Sequence, residues 1–350
     1  MTTERGPLWS TSVKQTRDYI IRAHGLSTNV PRTGERADGI HIGVVDSAWQ
    51  LPSEYTDGYT VHERRENSFL NTSEEETSQH CRAVFDRLCA YAPDAEFSLY
   101  QAMNADKRVP VEPYSDVVTK AIEDDIDILN LSSGRPWRAP VALNPDVKVT
   151  KRLINAGITV VAAAGNYLPN KQERRPPVHC PGAFEDVISV GGMVTHCPCE
   201  PGDEPANRRA GPYYWVNEDV APESDVTPAN GTFCSEQDCT NGQNCIPNQQ
   251  EKEWKWNPVP TGSNPDILAP MHVLRDSSDG WYLEPGTSFA TPLVTGSLAC
   301  ILCEHQSETG EEASPYDLRR AVREGSSRIH PDASAGKYDA MGTRCELGLS

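Results

Sequence analysis

A series of short apolar runs, alternating with stretches of helical period, constrains this chain more than any other feature of its sequence. Residues 41–46 (HIGVVD), 96–100 (EFSLY), 126–131 (IDILNL), 158–164 (ITVVAAA), 187–190 (VISV) and 266–270 (DILAP) read as strands, the fourth being the most hydrophobic. Between them, Ala83, Val84, Leu88 and Tyr91 share one helical face, residues 115–124 read as a helix with Ser115 as N-cap, and residues 147–156 as a helix closed by Gly157. The strongest helix spans 287–303, with Phe289, Ala290, Leu293, Val294, Leu298, Ile301 and Leu302 on its apolar face and Pro292 assigned to its first turn. Strands alternating with helices predict right-handed βαβ units and a mainly parallel sheet covered on both faces, a three-layer α/β/α fold. Ligands of such sheets bind at the carboxyl ends of the strands, and here those ends carry Asp46-Ser47, Ser132-Ser133-Gly134 and Gly165-Asn166.

Composition narrows the function classes. Among 350 residues, Lys plus Arg number 32 and Asp plus Glu 50, a formal charge of −18, which repels phosphate backbones and argues against nucleic acid as a partner. The basic residues are mostly arginine; an acidic, lysine-poor surface suits high salt and equally an ordinary acidic protein. No apolar run approaches the roughly 18 residues of a membrane span, and the first twenty residues hold no signal-like apolar core, so a cytoplasmic location without membrane attachment is the expectation.

Residues 193–265 break the pattern. They are rich in Pro, Gly, Asn, Glu and Trp, show no period, and carry Cys197, Cys199, Cys234, Cys239 and Cys245. A stretch this long without regular structure reads as a cysteine-bearing, loop-rich insertion. Its cysteines, with His196, have three readings: a structural zinc site, disulfides, or unlinked thiols; His179-Cys180 is a candidate addition to the zinc set. Cys89, Cys300 and Cys303 fall on helices and are expected in the core. Many carboxylates are available for calcium, but none has a recognisable spacing.

Chemistry concentrates at a few positions. Gly286-Thr287-Ser288-Phe289-Ala290-Thr291-Pro292 sets a serine at the start of a helix, where free backbone N–H groups and the positive end of the dipole can stabilise an oxyanion. A serine hydroxyl needs a base, and the base an orienting group. Asp46 ends the first strand, His80 begins the next helix, and Asn166 follows the glycine after the most buried strand. Aspartate, histidine, serine in that order is one of the known chain orders of the triad geometry.

With these residues in view, the chain resembles the subtilisin-like serine proteases, the subtilase family. Val44-Val45-Asp46-Ser47 is similar to the family's aspartate motif; His80 with Val84 and Ala92-Pro93-Asp94-Ala95 to its histidine segment. Ala163-Ala164-Gly165-Asn166 is similar to the oxyanion segment, 286–292 to the serine motif, and 128–134 to the substrate-binding strand. The resemblance implies a subtilisin-like fold and a serine endopeptidase that hydrolyses peptide bonds through an acyl-enzyme. It implies catalytic Asp46, His80 and Ser288, Asn166 in the oxyanion hole, and Leu131, Ser132, Ser133, Gly134, Ala164 and Gly165 along the substrate, with no cofactor in the chemistry and a peptide or protein as partner.

The corresponding layout is an N-terminal extension (1–39), a catalytic domain (40–305, insertion about 194–264) and a C-terminal closing segment (306–350). Departures from the family pattern fall beside the site: Cys81-Arg82 stand where glycine and threonine are usual, and Ala48 and Met271 where glycine is. Cys81 brings a thiol close to the imidazole, with a narrowed cleft or oxidation sensitivity as the expected consequence. Two other readings fit the same residues: a weak or inactive subtilase-fold module that binds a peptide or partner, and a processing protease selective for one partner.

Overall fold

The computed structural model describes residues 37–47, 60–64, 74–104, 108–137, 139–165, 178–194, 213–215, 265–277, 280–326 and 336–349. The strands are β1 (His41–Asp46), β2 (Thr60–Arg64), β3 (Glu96–Gln101), β4 (Ile128–Leu131), β5 (Thr159–Ala163), β6 (Ile188–Val194), β7 (Tyr213–Trp215), β8 (Ile267–Pro270), β9 (His272–Ser277), β10 (Gly280–Pro285) and β11 (Gly336–Lys337). The helices are α1 (Glu74–Tyr91), α2 (Val111–Glu123), α3 (Asp146–Asn155), α4 (Thr287–Thr309), α5 (Pro315–Glu324) and α6 (Ala340–Glu346).

The main sheet runs β11-β8-β6-β5-β4-β1-β3-β2, parallel throughout, with β7 antiparallel on β6; β9 and β10 form a separate hairpin. From β1 the chain moves outward to β2, whereas from its neighbour β4 it moves the opposite way to β5. The crevice at the carboxyl ends of β1 and β4 is therefore the topological switch point, where such sheets bind ligands.

Alternation along the strands sorts the apolar residues into two cores. Ile42, Val44, Ile128 and Val161 face one side with α1, α4 and α5; Val45, Leu129, Leu131, Val160 and Ala162 face the other with α2 and α3. This is the expected three-layer arrangement. In the first core Phe85 and Phe97 meet edge to face with centroids 4.9 Å apart. The long helix α4 is buried from Phe289 to Leu302, and α1 crosses it closely: a Cβ added at Gly296 would lie 2.7 Å from the Cβ of Tyr91. By length and composition α4 would pass for a membrane span, yet 89% of its apolar window is buried inside the fold, as in a core helix.

Several boundaries differ from the sequence reading. Helix α1 begins at Glu74, so His80 lies in its second turn; the polar run 74–79 gives no apolar period to mark that start. Helix α2 begins at Val111 behind Pro110, not at Ser115, because proline fits an N-terminus and Tyr114 supplies an apolar contact that an N-cap search overlooks. Pro292 sits beyond the first turn of α4, which starts at Thr287. That helix runs to Thr309, past its expected end at 303, and stops at Gly310 in the left-handed conformation. After it, α5 and β11 pack onto the sheet, and Tyr338 and Leu349 join the first core. Of the expected insertion, only β7 is described; residues 1–36, Asn166 and the five insertion cysteines lie outside the described residues.

Candidate active site

Asp46 closes β1 at the switch point and is fully buried. A buried carboxylate needs its oxygens occupied, and Ser47 supplies part of this, donating to Oδ1 from its backbone N–H at 2.7 Å and from its hydroxyl at 3.0 Å. His80 supplies the rest: its Nδ1 lies 2.9 Å from Oδ1 and 3.0 Å from Oδ2. A carboxylate that accepts both contacts assigns the donor role to Nδ1. The backbone carbonyl of Asp46 also accepts from Ala102 and Met103 N–H, at 3.0 and 3.1 Å, which fixes the end of β1 against the segment leaving β3.

The histidine ring packs against Phe289, centroids 5.6 Å apart, so the first turn of α4 lies alongside it. Ser288, half-buried, is the preceding residue. Gly286 has no side chain to cap α4, which leaves that helix end without a side-chain cap and its positive pole directed at the site. Arg87, two turns along α1 from His80, is buried and donates to the carbonyls of Phe289 (3.0 Å) and Pro270 (3.4 Å), tying α1 to α4 and β8. Burial pulls its guanidinium pKa down to about 10, against the opposing influence of Tyr91 and Asp86.

Pro292 gives Ser288 an unusual environment. It has no N–H to donate to the Ser288 carbonyl four residues back, and its ring pushes that carbonyl away from the helix axis. The hydroxyl of Ser132 takes the place of the missing donor at 2.8 Å. Ser132 in turn accepts from Asn130 Nδ2 at 3.0 Å, and Asn130 Oδ1 accepts from Thr295 at 3.0 Å. A relay of buried polar groups thus links β4 to the first and third turns of α4. Neither Asn130 nor Thr295 was singled out for this role in the sequence, although a proline four residues after a serine is a readable sign of an unpartnered carbonyl.

Leu131 is the last residue of β4 in the sheet, Ser132, Ser133 and Gly134 continue the chain beyond it, and Ala164 and Gly165 continue β5 beside them. The Ser133 hydroxyl is buried without a partner among the described residues. Bridging the two ends is the segment 178–182: His179 N–H donates to Ala164 O, and Arg135 and Cys180 exchange backbone hydrogen bonds, each at 2.9 Å. Cys180 is buried there, its thiol pushed up to about 11 by burial. Cys81 is also buried, 1% exposed, and lies in the first core rather than in the cleft. The expected narrowing of the cleft by this thiol is therefore not realised, because Cys81 and His80 lie on different faces of α1. The six described cysteines form no disulfide; Cys89 and Cys300 are buried as expected, Cys303 partly so, and Cys345 is exposed.

Comparison with known proteins agrees with this architecture. The model of the subtilase family (Peptidase S8) matches residues 38–337. Among solved structures, the prenylagaramide maturation protease PagA is similar with 18% identity and a TM-score of 0.59, covering 95% of this chain and 99% of that one. A lanthipeptide protease is similar with 15% identity and a TM-score of 0.60, covering 98% of each chain. A cold-adapted subtilisin-like serine proteinase has 16% identity and a TM-score of 0.51, over 88% of this chain and 89% of that one. No curated protein sequence matches the chain. At these identities the structural likeness carries the fold alone.

Proposed function

The chain belongs to the subtilase family of serine peptidases, and on that premise we propose that it is an endopeptidase in which Asp46, His80 and Ser288 act as one catalytic unit. The observation that carries the proposal is the buried Asp46–His80 pair at 2.9 and 3.0 Å, set at the sheet's switch point with the imidazole against the residue that follows Ser288.

The steps follow from the chemistry of these groups. His80 Nε2 takes the Ser288 hydroxyl proton as the serine oxygen adds to the scissile carbonyl, and Asp46 steadies the imidazolium that results. The carbonyl oxygen, now negative, is held by backbone N–H groups at the uncapped start of α4 and by the Asn166 side chain. His80 then gives the proton to the leaving amine, the C–N bond breaks, and an ester on Ser288 remains. Water, deprotonated by the same nitrogen, hydrolyses that ester and restores the serine. No metal or cofactor enters the chemistry. The substrate is an extended peptide segment, paired by its backbone with 131–134 and 164–165 in the manner of an added strand.

The test is labelling of the purified full chain with a serine-reactive fluorophosphonate, at low and high salt, beside Ser288→Ala and His80→Ala, with unfolded casein assayed in parallel. Labelling abolished by both substitutions is the expected result. Casein hydrolysis would add general proteolysis, and labelling without it a selective protease. Folded protein that neither labels nor hydrolyses overturns the proposal and leaves the binding-module reading.

A further inference from the structure

The two chain ends that flank the substrate in this reading each contribute a glycine, and both glycines face the same side chain. A Cβ added at Gly134 would lie 2.7 Å from the Cβ of His179; one added at Gly165 would lie 2.3 Å from its Cγ, 2.4 Å from Nδ1 and 2.7 Å from Cδ2. These separations are shorter than real side-chain contacts allow, so the imidazole fills the slot that the two absent side chains leave. It is held there firmly. The His179 N–H bonds to Ala164 O, the paired Arg135–Cys180 bonds fix the next residue, and the ring is hydrogen-bonded to the Gly134 backbone.

We infer that His179 is the floor of the pocket that receives the substrate side chain preceding the cleaved bond, and that by filling this pocket it restricts that side chain to small residues. The inference rests on the proposed peptidase activity and adds its specificity. Size rather than charge is the discriminating property. Burial foremost, and then Arg108, lower the imidazole pKa to about 4, so the ring is neutral in the ordinary working range and offers no fixed charge to an acidic partner. A neutral ring packed on two glycine backbones leaves little depth for a phenyl or branched chain. A methyl or hydroxymethyl group needs none.

The sequence carried only a hint. His179-Cys180 stood out as a possible addition to the zinc set, and its packing against residues 134 and 165 depends on a return of the chain that no local pattern shows.

The experiment uses the full chain and two peptidyl diphenylphosphonates that phosphonylate an active serine and differ only in the side chain for this pocket, alanine or phenylalanine. A small alkyl fluorophosphonate, which needs no pocket, serves as reference. Wild type is expected to react with the alanine probe at least about 10-fold faster than with the phenylalanine probe, within the roughly 10- to 200-fold range a pocket misfit gives. His179→Gly and His179→Ala open the slot and should reverse that ratio, each peptidyl rate being taken relative to the rate of the small fluorophosphonate on the same variant. Two variants guard against one that folds poorly, since the small probe reports an intact site in either. A wild type that prefers phenylalanine, or a ratio unmoved in a variant that still takes the small probe, overturns the inference and leaves the peptidase reading standing. Wild type that reacts with none of the three probes overturns both.

Discussion

Replacing Ser132 by alanine should disturb the protein in a way that only Pro292 explains. The hydroxyl donates to the Ser288 carbonyl at 2.8 Å and accepts from Asn130 Nδ2 at 3.0 Å. Its loss leaves two groups short of a partner in a region where Asn130 and Ser132 are at most 1% exposed. Stranding a buried polar group costs about 1–3 kcal/mol, so Ser132→Ala should cost about 3 kcal/mol in total, or a fall in Tm of roughly 4 °C for a chain of this size. The second half of the argument concerns the helix. Pro292→Ala returns a main-chain N–H four residues after Ser288, in position to bond the same carbonyl. In the wild-type background that N–H competes with a satisfied acceptor. In the Ser132→Ala background it meets an unsatisfied one and should recover about 1 kcal/mol more. Urea denaturation of the four proteins closes the cycle, and the expected coupling is about 1 kcal/mol. A Ser132→Ala cost below about 0.5 kcal/mol, or a Pro292→Ala effect equal in both backgrounds, would refute the relay.

Three further outcomes can be checked. Gly165 has φ of 101° and faces the His179 ring; Gly165→Ala should cost more than about 2 kcal/mol in denaturant titration, because backbone strain and overlap both act against it. His179 gives stability a pH dependence. Its folded-state pKa of about 4 lies below the 6.5 of a free imidazole, so the unfolded chain binds the proton first. The stabilisation is complete above pH about 6.5 and lost as the pH falls to about 4, amounting to at most about 3 kcal/mol. Unfolding at several pH values should show this loss in wild type and not in His179→Gln. Finally, native protein treated with iodoacetamide should be alkylated at Cys345 and spared at Cys81, Cys89 and Cys300, as peptide mapping would show; modification of Cys81 at the rate of Cys345 would contradict its core position.

The fold was legible where one period dominates. The runs at 41–46, 126–131 and 158–164 became β1, β4 and β5 because parallel strands buried on both faces are apolar throughout. The edge strand β2 and the β9–β10 hairpin escaped notice: their residues mix charged and apolar types with no alternation long enough to separate them from loop. Tyr338 and Leu349 belong to the core through contacts distant in sequence, which periodicity cannot report. At the site, Asp46 and His80 were readable as motif residues, and the structure brings them into hydrogen-bond contact. Apart from Ser47, which is adjacent to Asp46 and part of its motif, what supports them was not readable. Arg87, Asn130, Thr295 and His179 act through tertiary approach, and no local pattern assigns them these contacts.

The most direct test of the central claim is the second-order rate of phosphonylation of Ser288, measured by mass spectrometry of the modified peptide in wild type, His80→Ala and Asp46→Asn. A base that activates the serine should make the rate fall on the order of 10² to 10⁴-fold in His80→Ala, with a loss on the order of 10⁴-fold known for the aspartate of other triads expected in Asp46→Asn. Equal rates in all three proteins, or modification at a residue other than Ser288, would contradict the claim that Asp46, His80 and Ser288 work as one unit.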